Sequence, residues 1–535
     1  MAFRVLVRVW FLTFIGLVGV VAAITAAQNN SSATALLKKM ETPEGYCDNH
    51  EGQGAIFCRH SGDRIYAQIL ITPGPYPGPS SPGSSPEPSS SDAGKSLLNP
   101  ISPVPPPLVQ PPVGAPPVLF LPTITSSLAN NNFSQVISLL EQKNTQSFLA
   151  YFGRPLDVPE LFSKKIQAIL QEQALQTGKK PAVIYVLSRP NQTDLLAITP
   201  QGDPLYRAVG GVGQDRLLKT AETFTNLVRD PRLVNTRAYL PAAQQLYQWL
   251  IAPLRAGLEA QQIDTLVFIP DNGLRGIPLA ALHDGQNFLV ERFSVGLVPS
   301  MSLTDTRYVN IKEARILAMG ASDFPDQSPL PAVPVELQQV AQDLGGGAVF
   351  LNEAFTLANF KKQHRQGTYG VIHLATHGEF RPGAPQNSYI AFRDSRLNLI
   401  QLRNLRLYRP PIELLTLSAC RTAVGDLDAE LGFAGLAVQA GVKSAVASLW
   451  YVSDEGTLAL MTRFYKHLNT APIKAEALRQ AQLEMLRGEV TVKGNQLQTP
   501  QGEIPLPPEV AQGRGDRPLS HPYYWAAFTM IGNPW

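Results

Sequence analysis

Two short stretches end apolar, β-branched runs on side chains that can react. "TYGVIHLATHGEF" (368–380) leads to His377 and Gly378, and "PIELLTLSACRTAVGD" (411–426) leads to Ser418, Ala419 and Cys420. A cysteine is a strong nucleophile only as the thiolate. An imidazole beside it can take the thiol proton and later give it to a leaving amine. Ligands of a parallel sheet bind beyond the carboxyl ends of its strands. His377 and Cys420 are both expected just past such ends, in one crevice if their strands are neighbours. The backbone N–H groups of Gly378 and Cys420 are then the natural oxyanion donors, and losing one such donor costs about 3 kcal/mol in acyl transfer. Alternation puts His373 and Ala375 on the face opposite Leu374, so His373 is expected to be a core or supporting residue and His377 the exposed one. Either His377 or Cys420 alone has a plain packing explanation, because free cysteine is among the most buried residue types. Their mirrored contexts together favour chemistry.

The elements that must position this pair follow a strand–helix rhythm from residue 315 onward. Strands are predicted at 315–320, 348–352, 369–375, 412–418, 442–450 and 524–532. Helices are predicted between them at 331–344, 356–364, 429–441, 454–468 and 473–486. Continuous apolar strands with intervening helices imply a mostly parallel sheet covered on both faces. A Gly/Pro-rich polar insert, 488–519, delays the last strand and is expected to be flexible and easily nicked. Upstream, 181–188 and 194–200 read as a strand pair, 214–229 and 237–260 as helices, 263–282 as a strand, turn and short helix, and 287–300 as further strand.

The chain has 535 residues, with 44% hydrophobic and 16% charged, and its formal net charge is +3 from 45 basic and 42 acidic residues. That balance, without a Lys/Arg block, argues against a nucleic-acid partner. "GGVGQD" (210–215) lacks the strand–loop–helix setting of a nucleotide loop, no G-x-S-x-G occurs, and Leu374 stands where a zincin H-E-x-x-H would need glutamate. No catalytic metal and no cofactor are expected, and nothing in the sequence supports activation by calcium.

The N-terminus differs from the body. Arg4 and Arg8 precede the uncharged run Val9 to Ala27. This pattern predicts an export signal or an uncleaved membrane anchor over 1–27, placing the rest outside the cytoplasm, periplasmic, secreted or membrane-attached. A small Cys-containing segment follows (28–72). Residues 73–117 hold 16 of the 46 prolines, so 73–118 reads as a stiff linker without a core. Cys47 and Cys58 suit a disulfide in an exported chain. Two unlinked thiols, or a zinc site from Cys47, His50, Cys58 and His60, are the other readings. In each case Cys420 is left over.

"HLATHG" (373–378), "LSACRTAVGD" (417–426), "ELGFAGLAVQAGVKSAVASLW" (430–450) and "HPYYWAAFTMIGNPW" (521–535) resemble the CHAT domain, a caspase-like, separase-related group in the cysteine-peptidase clan of caspases, gingipains and legumains. "LYQWLIAPL" (246–254), "LVFIPDNGLRGIPLAALHDG" (266–285) and "FLVERFSVGLVPS" (288–300) match its earlier half. The resemblance, from about residue 155 to 535, implies an α/β fold. A caspase-like, mostly parallel sheet flanked by helices (311–535) would follow a packed, degenerate α/β half (119–310). The family's catalytic pair falls on His377 and Cys420. Relatives often carry tetratricopeptide repeats upstream, and here a Pro-rich linker takes that place. Clan relatives also place carboxylates near the nucleophile to seat a basic side chain, which makes Asp426, Asp428 and Glu430 candidates, with Asp454 and Trp450 as further walls of the cleft. Against this, Asp428 could simply cap the following helix, Glu430 could sit in its first turn, and Trp450 could be core.

The expected function is a cysteine endopeptidase acting on a protein or peptide substrate with a basic residue before the scissile bond. The alternative is a silent caspase-like scaffold that binds a partner. A thiol acyltransferase or esterase is a third reading. The sequence leaves the oligomeric state open.

Overall fold

A computed structural model describes residues 6–8, 45–49, 56–60, 68–70, 120–153, 161–422, 425–511 and 515–535. The chain divides into two units, Met1–Val109 and Gln110–Trp535.

In the first unit Gly45–Asn49 and Ile56–His60 pair antiparallel, with Cys47 directly opposite Cys58. Leu6–Arg8 pairs antiparallel with Gln68–Leu70. The expectation of export or N-terminal anchoring is corrected here. Leu6–Arg8, within the expected targeting segment, is a strand in a small sheet, and among the described residues no helix is long and apolar enough to cross a membrane. The run Val9–Ala27, the linker 73–118 and His50 lie outside the described residues.

The second unit is built on one 13-stranded sheet. Across it the main strands run Gly347–Leu351, Arg315–Gly320, Tyr369–Phe380, Leu414–Thr422, Ser444–Ser448, Phe528–Gly532, Ser294–Leu297, Thr265–Pro270, Pro181–Ser188, Gln192–Ile198 and Leu205–Gly210. The first five are mutually parallel. Phe528–Gly532 is antiparallel to Ser444–Ser448 and parallel to Ser294–Leu297, so the sheet is continuous from the later half into the earlier one. It is therefore a mixed α/β sheet flanked by helices. Residues such as Ile316, Leu317, Ile372, Leu415 and Val446 are sealed on both faces, as expected of parallel strands covered by helices. Each such side chain contributes about 1.5–3 kcal/mol of burial.

Covering helices include Val333–Asp343, Asp454–Leu468 and Lys474–Leu486. The strand predictions at 315–320 and 181–188 match the structure. The region 287–300 is a short helix, Leu289–Arg292, and then a strand, Ser294–Leu297. The insert 488–519 carries a four-stranded antiparallel sheet rather than a bare flexible stretch. Val492 and Leu497 give it a small buried centre.

Candidate active site

The two chemistry-bearing strands are neighbours. Tyr369–Phe380 and Leu414–Thr422 pair in parallel, with His377 opposite Ala419 and Gly378 opposite Cys420. Both residues lie within the ladder, not past its end as the sequence suggested. What breaks the regular pattern is a bulge. Leu374 faces Leu417 and His377 faces Ala419, so Ala375 and Thr376 together oppose Ser418. A bulge bends a strand and re-aims the side chains beyond it. Thr376 pins this one by donating its hydroxyl hydrogen to the Ala391 carbonyl at 2.7 Å. On the other side the strand passes Gly320, where an added Cβ would lie 2.4 Å from the Ala375 carbonyl oxygen. Only glycine lets the two backbones approach so closely. Beyond the bulge, Gly378 pairs on its second side with Ile390.

His377 is 9% exposed. Its Nε2 lies 2.8 Å from the Ser328 carbonyl oxygen. A carbonyl only accepts, so Nε2 carries the hydrogen and the lone pair remains at Nδ1. Phe324 meets the ring edge-on at 5.0 Å, and Tyr451 stacks on it at 6.2 Å. Burial lowers the imidazole below its ordinary value, against the Ser328 contact and the carboxylates of Glu379 and Asp326, which favour the cation. The ring is therefore held neutral near pH 7. Phe324 and Ser328 come from a loop before Val333–Asp343, and no motif in the sequence signals that this loop crosses over His377. Arg396 ties the loop's Asp326 to the hairpin beside the bulge.

His373 sits deeper and does different work. Its Nε2 meets Glu336 Oε1 at 2.8 Å, its Nδ1 meets Tyr465 Oη at 3.1 Å, and Tyr465 donates to Thr416 Oγ1 at 2.9 Å. This network is fully enclosed and ties the sheet to two covering helices.

The expected substrate residues fall in different places. Asp426 is the N-cap of helix Leu427–Ala434, accepting from the N–H groups of Asp428 and Ala429 at 3.1 and 2.9 Å. Asp428 is half-buried in the first turn. The capping role therefore belongs to Asp426, not to Asp428. Glu430, 1% exposed, accepts from the Arg275 N–H at 3.2 Å, and burial raises its carboxyl although the Arg275 guanidinium opposes that. It locks the helix onto the earlier half of the sheet. Trp450 is buried and donates to the Tyr523 carbonyl at 3.1 Å.

Asp454 stands in the first turn of Asp454–Leu468 and accepts from Tyr451 Oη at 3.3 Å. Burial pushes its carboxyl up to about 6. It lines a cavity of about 630 Å³ together with Tyr451, Glu509, Tyr523 and Tyr524. The sequence pointed to Asp454 but not to Tyr451, its link to His377. Among the described residues no group of three or more His, Cys, Asp or Glu could hold a metal ion.

A search of curated proteins found no match. Among solved structures, the chain is similar to a chain of the Saccharomyces cerevisiae separase–securin complex, with 12% identity and a TM-score of 0.44, over 77% of this chain and 34% of that one. The protein thus spans about a third of that relative's length. It is also similar to a Porphyromonas gingivalis RgpB complex of pro- and mature domains, with 10% identity and a TM-score of 0.34, over 59% of this chain and 76% of that one. A profile of the CHAT domain matches residues 240–533, more than half of the chain, and the protein belongs to the CHAT domain family.

Proposed function

We propose that the protein is a cysteine endopeptidase in which Cys420 is the nucleophile and His377 the general base and acid. The observation that carries this reading is the pairing of His377–Gly378 with Ala419–Cys420 on adjacent parallel strands. In the first step His377 Nδ1 takes the Cys420 proton. The thiolate attacks the scissile carbonyl, and the oxyanion is received by backbone N–H groups at Gly378 and Cys420. The imidazolium then returns its proton to the leaving amine as the C–N bond breaks, which leaves a thioester. Water, deprotonated by the same imidazole, hydrolyses the thioester and regenerates the thiol. The hydrogen bond from Nε2 to the Ser328 carbonyl supports this role, because it fixes the ring and leaves the lone pair at Nδ1.

A basic residue before the scissile bond is the proposed preference. Asp426 and Asp428 stand just after the cysteine strand, and Asp454 stands beside the aromatic neighbour of His377. A carboxylate in a partly dry cleft recognises guanidinium or ammonium. The test is cleavage of Arg- and Lys-containing peptides by the purified chain and by Cys420→Ala and His377→Ala. Unchanged cleavage in both variants would refute the assignment.

A second reading, the silent scaffold, draws on the near-complete burial of His377 under Phe324, Ser328 and Tyr451. It predicts that an arginyl acyloxymethyl ketone leaves Cys420 unlabelled under reducing conditions, whereas the peptidase reading predicts labelling that His377→Ala suppresses.

A further inference from the structure

A second cavity, of about 500 Å³, opens away from the candidate catalytic residues. Its walls come from both halves of the second unit. Arg237 and Tyr239 precede helix Leu240–Leu250, His283 follows the short helix Leu279–Ala281, Arg487 ends helix Lys474–Leu486, and His521 precedes the last strand. Its charged side chains are two guanidiniums, Arg237 and Arg487, and one carboxylate, Glu291. Arg237 and Arg487 are exposed, and neither has an ion-pair partner among the described residues. The one carboxylate of the lining, Glu291, accepts from the Phe288 N–H at 2.6 Å, and the two guanidiniums outnumber it.

The two histidines are set as donors by their own backbone contacts. His283 Nδ1 accepts from the Gly285 N–H at 3.0 Å, and His521 Nδ1 accepts from the Tyr523 N–H at 3.1 Å. Each ring therefore carries its hydrogen on Nε2. His521 is 8% exposed, and its Nε2 is a buried donor lying close to the Thr236 carbonyl without reaching hydrogen-bond geometry. Burial holds both rings below the ordinary imidazole value; for His283 the carboxylates of Asp284 and Glu291 oppose this and the Arg237 guanidinium adds to it.

We propose that this cavity is a binding site for a small phosphate-bearing anion. Two unpaired guanidiniums match phosphate oxygens in charge and in fork geometry. The His283 Nε2–H supplies a further donor, and a cavity of this size falls in the range of small-molecule sites, about 300–1,000 Å³. The site is separate from the proposed catalytic pair, so its test does not depend on peptidase activity. It does border it: the Tyr523 N–H that holds His521 belongs to the residue whose hydroxyl reaches the Tyr451 carbonyl at 3.3 Å.

The test is calorimetric titration of the full chain with pyrophosphate, with ATP and with sulfate. Saturable one-to-one binding of pyrophosphate or ATP is expected, at least ten-fold weaker in the Arg237→Ala/Arg487→Ala double variant and unchanged in Asp454→Asn. Similar affinity for the two would mean that the site reads phosphate alone, and tighter ATP would mean that the cavity also receives the nucleoside. Both arginines are exposed, so the double variant is expected to melt like the parent. Absence of binding, equal binding of sulfate, or affinity unchanged in the double variant would overturn the proposal.

Discussion

His377 gives its Nε2 hydrogen to the Ser328 carbonyl across 2.8 Å, and that contact decides which ring nitrogen is left to accept a proton. Ser328 lies in a loop that also brings Phe324 against the ring. The loop thus sets both the tautomer and the dryness of the proposed base.

The pH profile should record that dryness. Burial holds His377 below the ordinary imidazole value of about 6.5. The base works as the neutral ring, so activity should fall as pH drops through the lowered value, and the acidic limb of kcat/KM should lie below about 6.5. Phe324→Ala admits water and should move that limb upward. A limb already above 6.5 in the parent, or one that Phe324→Ala leaves in place, would remove burial as the cause.

The two histidines should separate stability from activity. His373→Ala strips a partner from the buried Glu336 carboxyl and from Tyr465. Breaking a buried pair of this kind typically costs about 3–5 kcal/mol, which urea unfolding would show. His377→Ala should abolish cleavage at a smaller cost in stability, about 1–3 kcal/mol, because it empties a buried site but leaves no buried carboxyl without its partner.

Asp426 can be asked whether it caps, recognises, or does both. Asparagine caps as well as aspartate, whereas alanine costs about 1 kcal/mol. Asp426→Asn should therefore melt like the parent. If the charge seats a basic substrate, kcat/KM for arginyl peptides should fall at least ten-fold in that variant and stay level for uncharged ones. An equal response for both peptides assigns Asp426 to capping alone.

Asp454 should leave a mark on stability. Its folded value of about 6 lies above the ordinary 3.8, so folding favours the protonated acid. That contribution is fully present below about 3.8 and is lost as pH rises through about 6. Asp454→Asn removes the penalty of the buried charge. It should match the parent at pH 4 and exceed it at pH 8 by on the order of 2 kcal/mol, allowing for partial solvent screening. Equal stabilities at both pH values would contradict this.

The sequence revealed the later sheet well, because its strands are continuous apolar runs buried on both faces. Alternation also marked His373 as a core residue, and the structure puts it in a sealed network, but His377, expected to be the exposed histidine, is buried as well because the loop carrying Phe324 and Ser328 covers it. Less legible was whatever depends on contacts far apart in the chain. The bulge at Ala375–Thr376 has no signature in "LATHG", and the crossing of Phe324 and Ser328 over His377 is fixed by tertiary packing. Leu205–Gly210 escaped notice because it is a partly exposed edge strand without clean alternation. The sheet within 488–519 was hidden by its glycines and prolines, which here form tight turns around two buried side chains. Glu430 looked like a free carboxylate because its partner, Arg275, lies 155 residues away in the chain.

The central claim is that His377 activates Cys420. The most direct measurement is the rate of Cys420 alkylation by iodoacetamide against pH, read by mass spectrometry of the Cys420 peptide in the parent and in His377→Ala. The account predicts a reactive thiolate in the parent at pH values well below the ordinary cysteine value of about 8.5, and a return toward that value in the variant. Superimposable profiles, or a thiol that stays unreactive in both proteins, would contradict it.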